Sequence, residues 1–186
     1  MSRTSPIKLV ILDVDGVLTN GTKAYALDGS VIFKHFADRD FTAIKEMKAS
    51  GLTVVFLSGD EQVNKKIAAS RKIPFYSSRL ASSKLGKEEA VLEILNTYGV
   101  SFEETLFVGD DLFDSALAAK VGFSACPSDS HRTMKSSCNW ILPKSSGDHC
   151  IQALVDILIE EGLMEAPAVE SVVELDASES VSYSDK

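Results

Sequence analysis

The stretch Ile7-Lys8-Leu9-Val10-Ile11-Leu12-Asp13-Val14-Asp15-Gly16-Val17-Leu18-Thr19 constrains this chain more than any other. An almost wholly apolar run of strand length stops in two carboxylates and a glycine. Such a run predicts a strand buried on both faces, as found inside a parallel sheet. Asp13 and Asp15 are two residues apart, so an extended backbone projects them to the same side. Gly16 then allows the chain to bend away without a Cβ penalty. Two like charges held this close are costly unless a positive charge lies between them. A magnesium ion, a hard cation that takes oxygen ligands and keeps substrate phosphate in its shell, suits that position.

At 186 residues the chain has room for one domain with a full hydrophobic core. A net charge of −8 offers no basic patch for nucleic acid. The charge is concentrated late: residues 165–186 hold six acids and one lysine. That segment is rich in Ser, Ala and Val without a clear period and is expected to be a disordered acidic tail after a domain over residues 1–164. No stretch has the length of a membrane span, and the first residues do not read as a signal peptide. Cys126, Cys138 and Cys150 are odd in number and lack CxxC spacing, which argues against a disulfide framework or a zinc site. A reducing cytoplasm is the expected location.

Further along, Asp28-Gly29 between two β-prone runs predicts a hairpin, which would leave the sheet directly behind the carboxylates and act as a flap. Phe41, Ile44 and Met47 recur at helical spacing, with Gly51 closing the segment. Thr53–Leu57 reads as a second buried strand, ending in Ser58-Gly59-Asp60. Residues 61–70 read as a helix with Val63 and Ile67 inward, and residues 73–76 as a short strand. A helix over residues 87–98 precedes a third buried strand at Thr105–Val108, which ends in Gly109-Asp110-Asp111. A helix over about 112–120, short strands near 123–125 and 140–142, and a last helix with Ile151, Leu154, Val155, Leu158 and Ile159 on one stripe complete the pattern.

Alternating strands and helices predict an α/β fold, a doubly wound parallel sheet with right-handed crossovers. Ligands in such sheets sit beyond the carboxyl ends of the strands. Asp13 and Asp15, Ser58, and Asp110 and Asp111 each lie at such an end, so three separate stretches supply polar groups to one mouth. The metal ligands expected there are Asp13, the Asp15 backbone carbonyl and Asp110, around Mg²⁺. Asp13 could then attack a phosphomonoester in line to give an aspartyl-phosphate. Asp15 could protonate the departing alkoxide and later activate water. The Ser58 hydroxyl suits a phosphate oxygen, and a lysine would offset the charge on nucleophile and phosphate. Gly59 and Asp60 would face the substrate's leaving group. Asp111 and Asp114 would orient the metal site or the lysine.

With Asp13-Val14-Asp15-Gly16-Val17-Leu18-Thr19, a strand ending in Ser58-Gly59, a lysine and Gly109-Asp110-Asp111-Leu112-Phe113-Asp114 in this order, residues 7–162 resemble the haloacid dehalogenase superfamily of phosphatases. The resemblance implies an Asp nucleophile at Asp13, an Asp acid/base at Asp15, Mg²⁺, and roles for Ser58 and Asp110. For the lysine, Lys87 keeps the family's spacing to Gly109-Asp110, whereas Lys84, in Ser83-Lys84-Leu85, has the more similar local sequence; Lys87 is preferred. The segments between motifs leave no room for a cap domain. The capless branch with this hairpin acts on sugar-acid phosphates of the octulosonate 8-phosphate or nonulosonate 9-phosphate type. It implies a homotetramer in which a neighbour's hairpin and tail help close each site. The chain departs from the octulosonate enzymes at Asp60, where they resemble one another in an arginine, and in lacking their glycine loops near Arg39-Asp40 and Ser146-Gly147. The acidic residue at 60 leans toward the nonulosonate type; an N-cap for the following helix is the competing role for Asp60.

Two other readings are weighed against a phosphatase. A receiver domain also gathers acids, a hydroxyl and a lysine around Mg²⁺, but in a different motif order. A non-catalytic oligomerisation module, resembling the domain attached to some sialic-acid cytidylyltransferases, would not need the complete set of catalytic residues present here.

Overall fold

A computed structural model describes residues 7–79 and 87–179. Lys84 lies outside the described residues. Six strands form one wholly parallel sheet: β1 (Leu9–Leu12), β4 (Thr53–Ser58), β5 (Phe75–Ser77), β6 (Thr105–Val108), β7 (Phe123–Cys126) and β8 (Trp140–Ile141). Their order is β5-β4-β1-β6-β7-β8, with β1 in the middle, paired to β4 at Leu9↔Thr53 and to β6 at Leu9↔Thr105. The chain is wound outward from β1 in both directions, which is the doubly wound arrangement expected. Every residue of β1 and of β6 is buried, because helices cover both faces of the sheet.

The period of two in the strands divides the core. Val10, Leu12, Val54, Phe56, Leu106 and Val108 point to a layer containing α1 (Asp38–Ala49) and α6 (Cys150–Glu160). Leu9, Ile11, Val55, Leu57 and Phe107 point to the opposite layer, with α3 (Lys87–Tyr98), α4 (Ser115–Ala118) and α5 (Arg132–Ser137). The stripe on α6 is core, with Ile151, Leu154, Val155 and Leu158 fully buried. Buried Asp40 of α1 accepts from the backbone N–H groups of Ile151 and Gln152 at 2.9 and 3.2 Å, capping α6 from a neighbouring helix.

Between β1 and β4 the chain forms only α1 and a two-stranded antiparallel hairpin, β2 (Ala24–Tyr25) with β3 (Val31–Phe33), turning at Asp28-Gly29. Four expectations change. Residues 61–63 are not helical, and α2 covers Asn64–Ser70. Asp60 Oδ1 accepts the Gln62 N–H at 3.0 Å, a local bond that competes with a helix start. The inward face of α2 carries buried Asn64 and Ala68, while Val63 and Ile67 are half-buried. The expected helix at 112–120 is a 3₁₀ turn, Leu112–Asp114, followed by α4.

The acidic tail, expected to be disordered, is corrected over much of its length: Val169–Ser178 is a helix, α7, lying against α1. The cause is a charge clasp invisible to local composition. Lys45, almost wholly buried on α1, pairs with Asp176 at 2.7 Å and Glu179 at 3.3 Å. Arg71 pairs with Glu179 at 2.9 Å.

Candidate active site

Because all six strands run the same way, their carboxyl ends open on one side, and the loops there build the site. A cavity of about 680 Å³ is lined by Asp13, Asp15, Lys23, Ser58, Gly59, Asp60, Arg79, Lys87 and Phe113, among others. Asp13 follows β1, Ser58 ends β4, Lys87 opens α3, and Asp110 follows β6. Gly16 has φ +84°, and a Cβ there would lie 2.0 Å from Asp110 Oδ2. The glycine is needed both for the turn and for the approach of the third-strand carboxylate.

The inner half of the site is a knot of carboxylates around one ammonium group. Carboxylate oxygens of Asp13, Asp110 and Asp114 all lie within 4.8 Å of one another. Lys87 pairs with Asp13 Oδ2, and with Asp114 Oδ1 at 2.7 Å. Asp13 Oδ1 accepts the Val14 N–H at 2.7 Å. Asp114 Oδ2 accepts the N–H groups of Asp110 and Asp111 at 2.9 and 3.1 Å. Both oxygens of Asp114 are thus engaged, one with the lysine and one with the backbone of the Asp110 loop. Asp111 instead caps the 3₁₀ turn, accepting from Leu112 N–H at 2.6 Å.

Electrostatics there follow from crowding. Burial, then the charges of Asp13 and Asp114, push Asp110 up to about 7. Burial also raises Asp13, against the opposing pull of Lys87. For Lys87 burial favours the neutral amine, but Asp13 and Asp114 outweigh it and hold the ammonium form. One lysine is thus too little positive charge for three acids, and the oxygen donors, together with the glycine cradle beside Asp110, fit a hard divalent cation.

The outer half was only partly legible. Asp15 does not point at that knot. Its carboxylate is held by Lys34 Nζ at 2.7 and 3.0 Å, Lys23 Nζ at 3.1 Å and Asn64 Nδ2 at 3.2 Å. Lys34, at the foot of the hairpin, has a side chain with no exposed surface and also reaches Asp60 Oδ2 at 2.7 Å and Asn64 Oδ1 at 2.8 Å. Lys23 meets Asp60 Oδ2 at 3.1 Å. Burial works against the Asp60 charge, yet Lys34 and Lys23 outweigh it and hold the carboxyl well below the usual range. Ser58 Oγ accepts from Asn64 Nδ2 at 2.9 Å. Lys23, Lys34, Asn64 and Arg79 had not been singled out from the sequence.

A family model described as haloacid dehalogenase-like hydrolase matches residues 58–154. The chain belongs to the haloacid dehalogenase-like hydrolases. Among curated relatives, this hydrolase is 32% identical over 155 residues to the 3-deoxy-D-manno-octulosonate 8-phosphate phosphatase of Haemophilus influenzae, covering 83% of each chain. It is 26% identical over 159 residues to the enzyme of the same name from Escherichia coli K12, covering 86% of this chain and 82% of that one. The cobalt-bound structure of the Haemophilus influenzae phosphatase aligns with TM-score 0.77 at 30% identity, over 86% of this chain and 91% of the other. A fold likeness at 20% identity and TM-score 0.74 joins it to the Moraxella catarrhalis phosphatase solved with magnesium, phosphate and KDO; the match covers 94% and 92% of the two chains.

In this haloacid dehalogenase-like hydrolase the preferred lysine, Lys87, touches both Asp13 and Asp114. The arrangement can hold a cation between Asp13 and Asp110, keep an ammonium group beside the Asp13 carboxylate, and offer Ser58 and the Gly59 loop to an anion opposite. Asp15 lines the same cavity on the side of Lys23, Lys34 and Asn64.

Proposed function

We propose that this chain is a Mg²⁺-dependent phosphatase acting on a small sugar-acid phosphomonoester, of the octulosonate 8-phosphate or nonulosonate 9-phosphate type. The observation that carries the reading is Lys87 spanning Asp13 and Asp114, with Asp110 alongside. Supporting it are the names of the relatives and the cobalt bound to one of them. Asp13 and Asp110, with the Asp15 backbone carbonyl, would hold the cation. The chemistry that Mg²⁺ would supply there is neutralisation of phosphate charge and polarisation of the phosphoryl group.

Asp13 attacks phosphorus; the P–O bond to the sugar breaks as the Asp13–phosphorus bond forms, giving an aspartyl-phosphate. Lys87 keeps its charge beside the nucleophile and stabilises the phosphoryl oxygens. Ser58 Oγ–H donates to one of those oxygens. Asp15 protonates the departing alkoxide and then takes a proton from the water that releases phosphate. Asp111 and Asp114 keep the Asp110 loop in register, and Gly59 and Asp60 border the leaving group.

The test is hydrolysis of p-nitrophenyl phosphate with Mg²⁺, with EDTA, and by Asp13→Asn. Activity should require the metal and fall by roughly three orders of magnitude or more in the variant, which has no carboxylate nucleophile. Substantial turnover by Asp13→Asn would place the reaction centre elsewhere, and inactivity of the wild type with Mg²⁺ would remove the reading.

A further inference from the structure

The charges lining the cavity separate into two halves of opposite sign. Counted as ionised, Asp13, Asp110 and Asp114 against Lys87 leave the inner half two charges negative. Asp15 and Asp60, both as carboxylates, against Lys23, Lys34 and Arg79 leave the outer half one charge positive, and two when Asp15 carries the proton it gives to the leaving group. A divalent cation answers the first imbalance, and the phosphoryl group that enters with it is met by Lys87 and Ser58. No step of the proposed chemistry uses Lys23 or Arg79, which line the cavity beside Gly59 and Asp60.

Lys34 is sealed beneath Asp15, Asp60 and Asn64 and cannot meet a ligand. Lys23 can. Its Nζ spends two protons on Asp15 and Asp60, each at 3.1 Å, and its side chain remains about a fifth exposed, at 21%. An ammonium group has a third proton to donate. Arg79 stands across the Gly59 backbone: a Cβ on residue 59 would lie 2.8 Å from its Nε. Among the described residues no carboxylate forms an ion pair with it. Both cations line the main cavity and also an adjoining recess of about 300 Å³, where Gly59 and Asp60 form the shared wall. Glu61, which also borders that recess, has Lys65 at 3.7 Å.

We infer that Lys23 and Arg79 form a subsite for a carboxylate on the leaving-group portion of the substrate, and that Asp60 serves it by holding Lys23. The proposal rests on the phosphatase reading above and deepens it. Asp60 does not repel a substrate carboxylate, because its charge is already matched by two ammonium groups. The guanidinium supplies a planar fork suited to a carboxylate, and Lys23 supplies a point charge beside it. Gly59 belongs to the same device, since any side chain there would displace Arg79.

The test compares two phosphomonoesters of equal length that differ at the far end: 6-phosphogluconate, with a carboxylate, and glucitol 6-phosphate, with a hydroxymethyl group. The quantity read is the ratio of their kcat/KM values, which cancels general losses of activity. Wild type should favour the carboxylate about tenfold or more, a ratio typical of one charge-assisted contact. Arg79→Gln and Lys23→Met should each bring the ratio toward unity, chiefly through KM for 6-phosphogluconate. Arg79 is exposed, so its variant should fold even if the Lys23 variant does not. A wild type without preference for the carboxylate, including one inactive on both sugars, overturns the inference, as does a preference unchanged in Arg79→Gln. Turnover of p-nitrophenyl phosphate in the same preparation separates those failures from failure of the phosphatase reading.

Discussion

Asp114 is the side chain whose loss should spread furthest from a single residue. It carries no proposed bond to substrate, yet Lys87 and two backbone N–H groups depend on it. Asp114→Ala should lower kcat/KM for p-nitrophenyl phosphate by about 10- to 100-fold and raise the Mg²⁺ concentration needed for half-activity, as loss of a ligand-orienting partner does. An unchanged Mg²⁺ requirement would show that Asp110 holds its place without it. Asp60 supports a second prediction, in acid. Its folded-state pKa lies below the ordinary 3.8 because Lys34 and Lys23 outweigh burial. A depressed carboxyl contributes stability that is present above the unfolded value and is lost as pH falls through the folded one. The loss should therefore begin near pH 4 and continue below it. Urea midpoints between about pH 5 and pH 2 should fall less steeply for Asp60→Asn than for wild type; equal slopes would mean that the pairs with Lys34 and Lys23 add nothing to folding.

Among the elements, those that end in the site could be read from sequence, because a buried strand announces itself by its apolar run and its end by the first polar residue. Asp13, Ser58 and Asp110 were found that way, and Lys87 by its spacing to Gly109. The hairpin was legible as a turn, at Asp28-Gly29, but not as the source of Lys23 and Lys34. A lysine after Val31-Ile32-Phe33 looks like a solvated strand end. Only the tertiary fold brings Asp60 and Asn64, more than two dozen residues later, around its ammonium group. Helix α7 was missed for the same reason: Asp176 on it and Glu179 just after it pair with Lys45 on α1 and Arg71 just after α2. Ending the chain after Met164 should thus expose Lys45 and Arg71 and lower stability by about 1–2 kcal/mol. That is less than the cost of stranding a charge in the interior, because water reaches both cations once the helix is gone. Thermal unfolding measures it, and kcat on p-nitrophenyl phosphate should stay near wild type. A shortened chain that keeps its Tm would make the clasp idle, and one that loses kcat would tie α7 to the site.

The whole molecule presents an apolar surface that a single copy leaves uncovered. Tyr25, Leu27, Ile32 and Phe33 of the hairpin are all more than half exposed, Leu27 completely. They stand on a two-stranded ribbon that an isolated chain stabilises poorly, although Lys23 and Lys34 root its base through ion pairs to Asp15 and Asp60. Apolar side chains gathered this way mark an interface more often than free surface. The hairpin's partner is proposed to be another copy of this chain, in a homotetramer like that implied by the capless-branch resemblance. Since each hairpin carries Lys23 at its foot, assembly would also stiffen one wall of the site. Light scattering at micromolar concentration should give four times the chain mass. Leu27→Asp with Phe33→Asp should shift it toward monomer, and should raise KM for sugar phosphates more than it lowers kcat, because Asp13 and Asp110 follow sheet strands and Lys87 opens α3, none of them on the hairpin. A wild type that scatters as a monomer removes the assembly, and a monomeric double variant with unaltered KM breaks the link between assembly and the wall of the site.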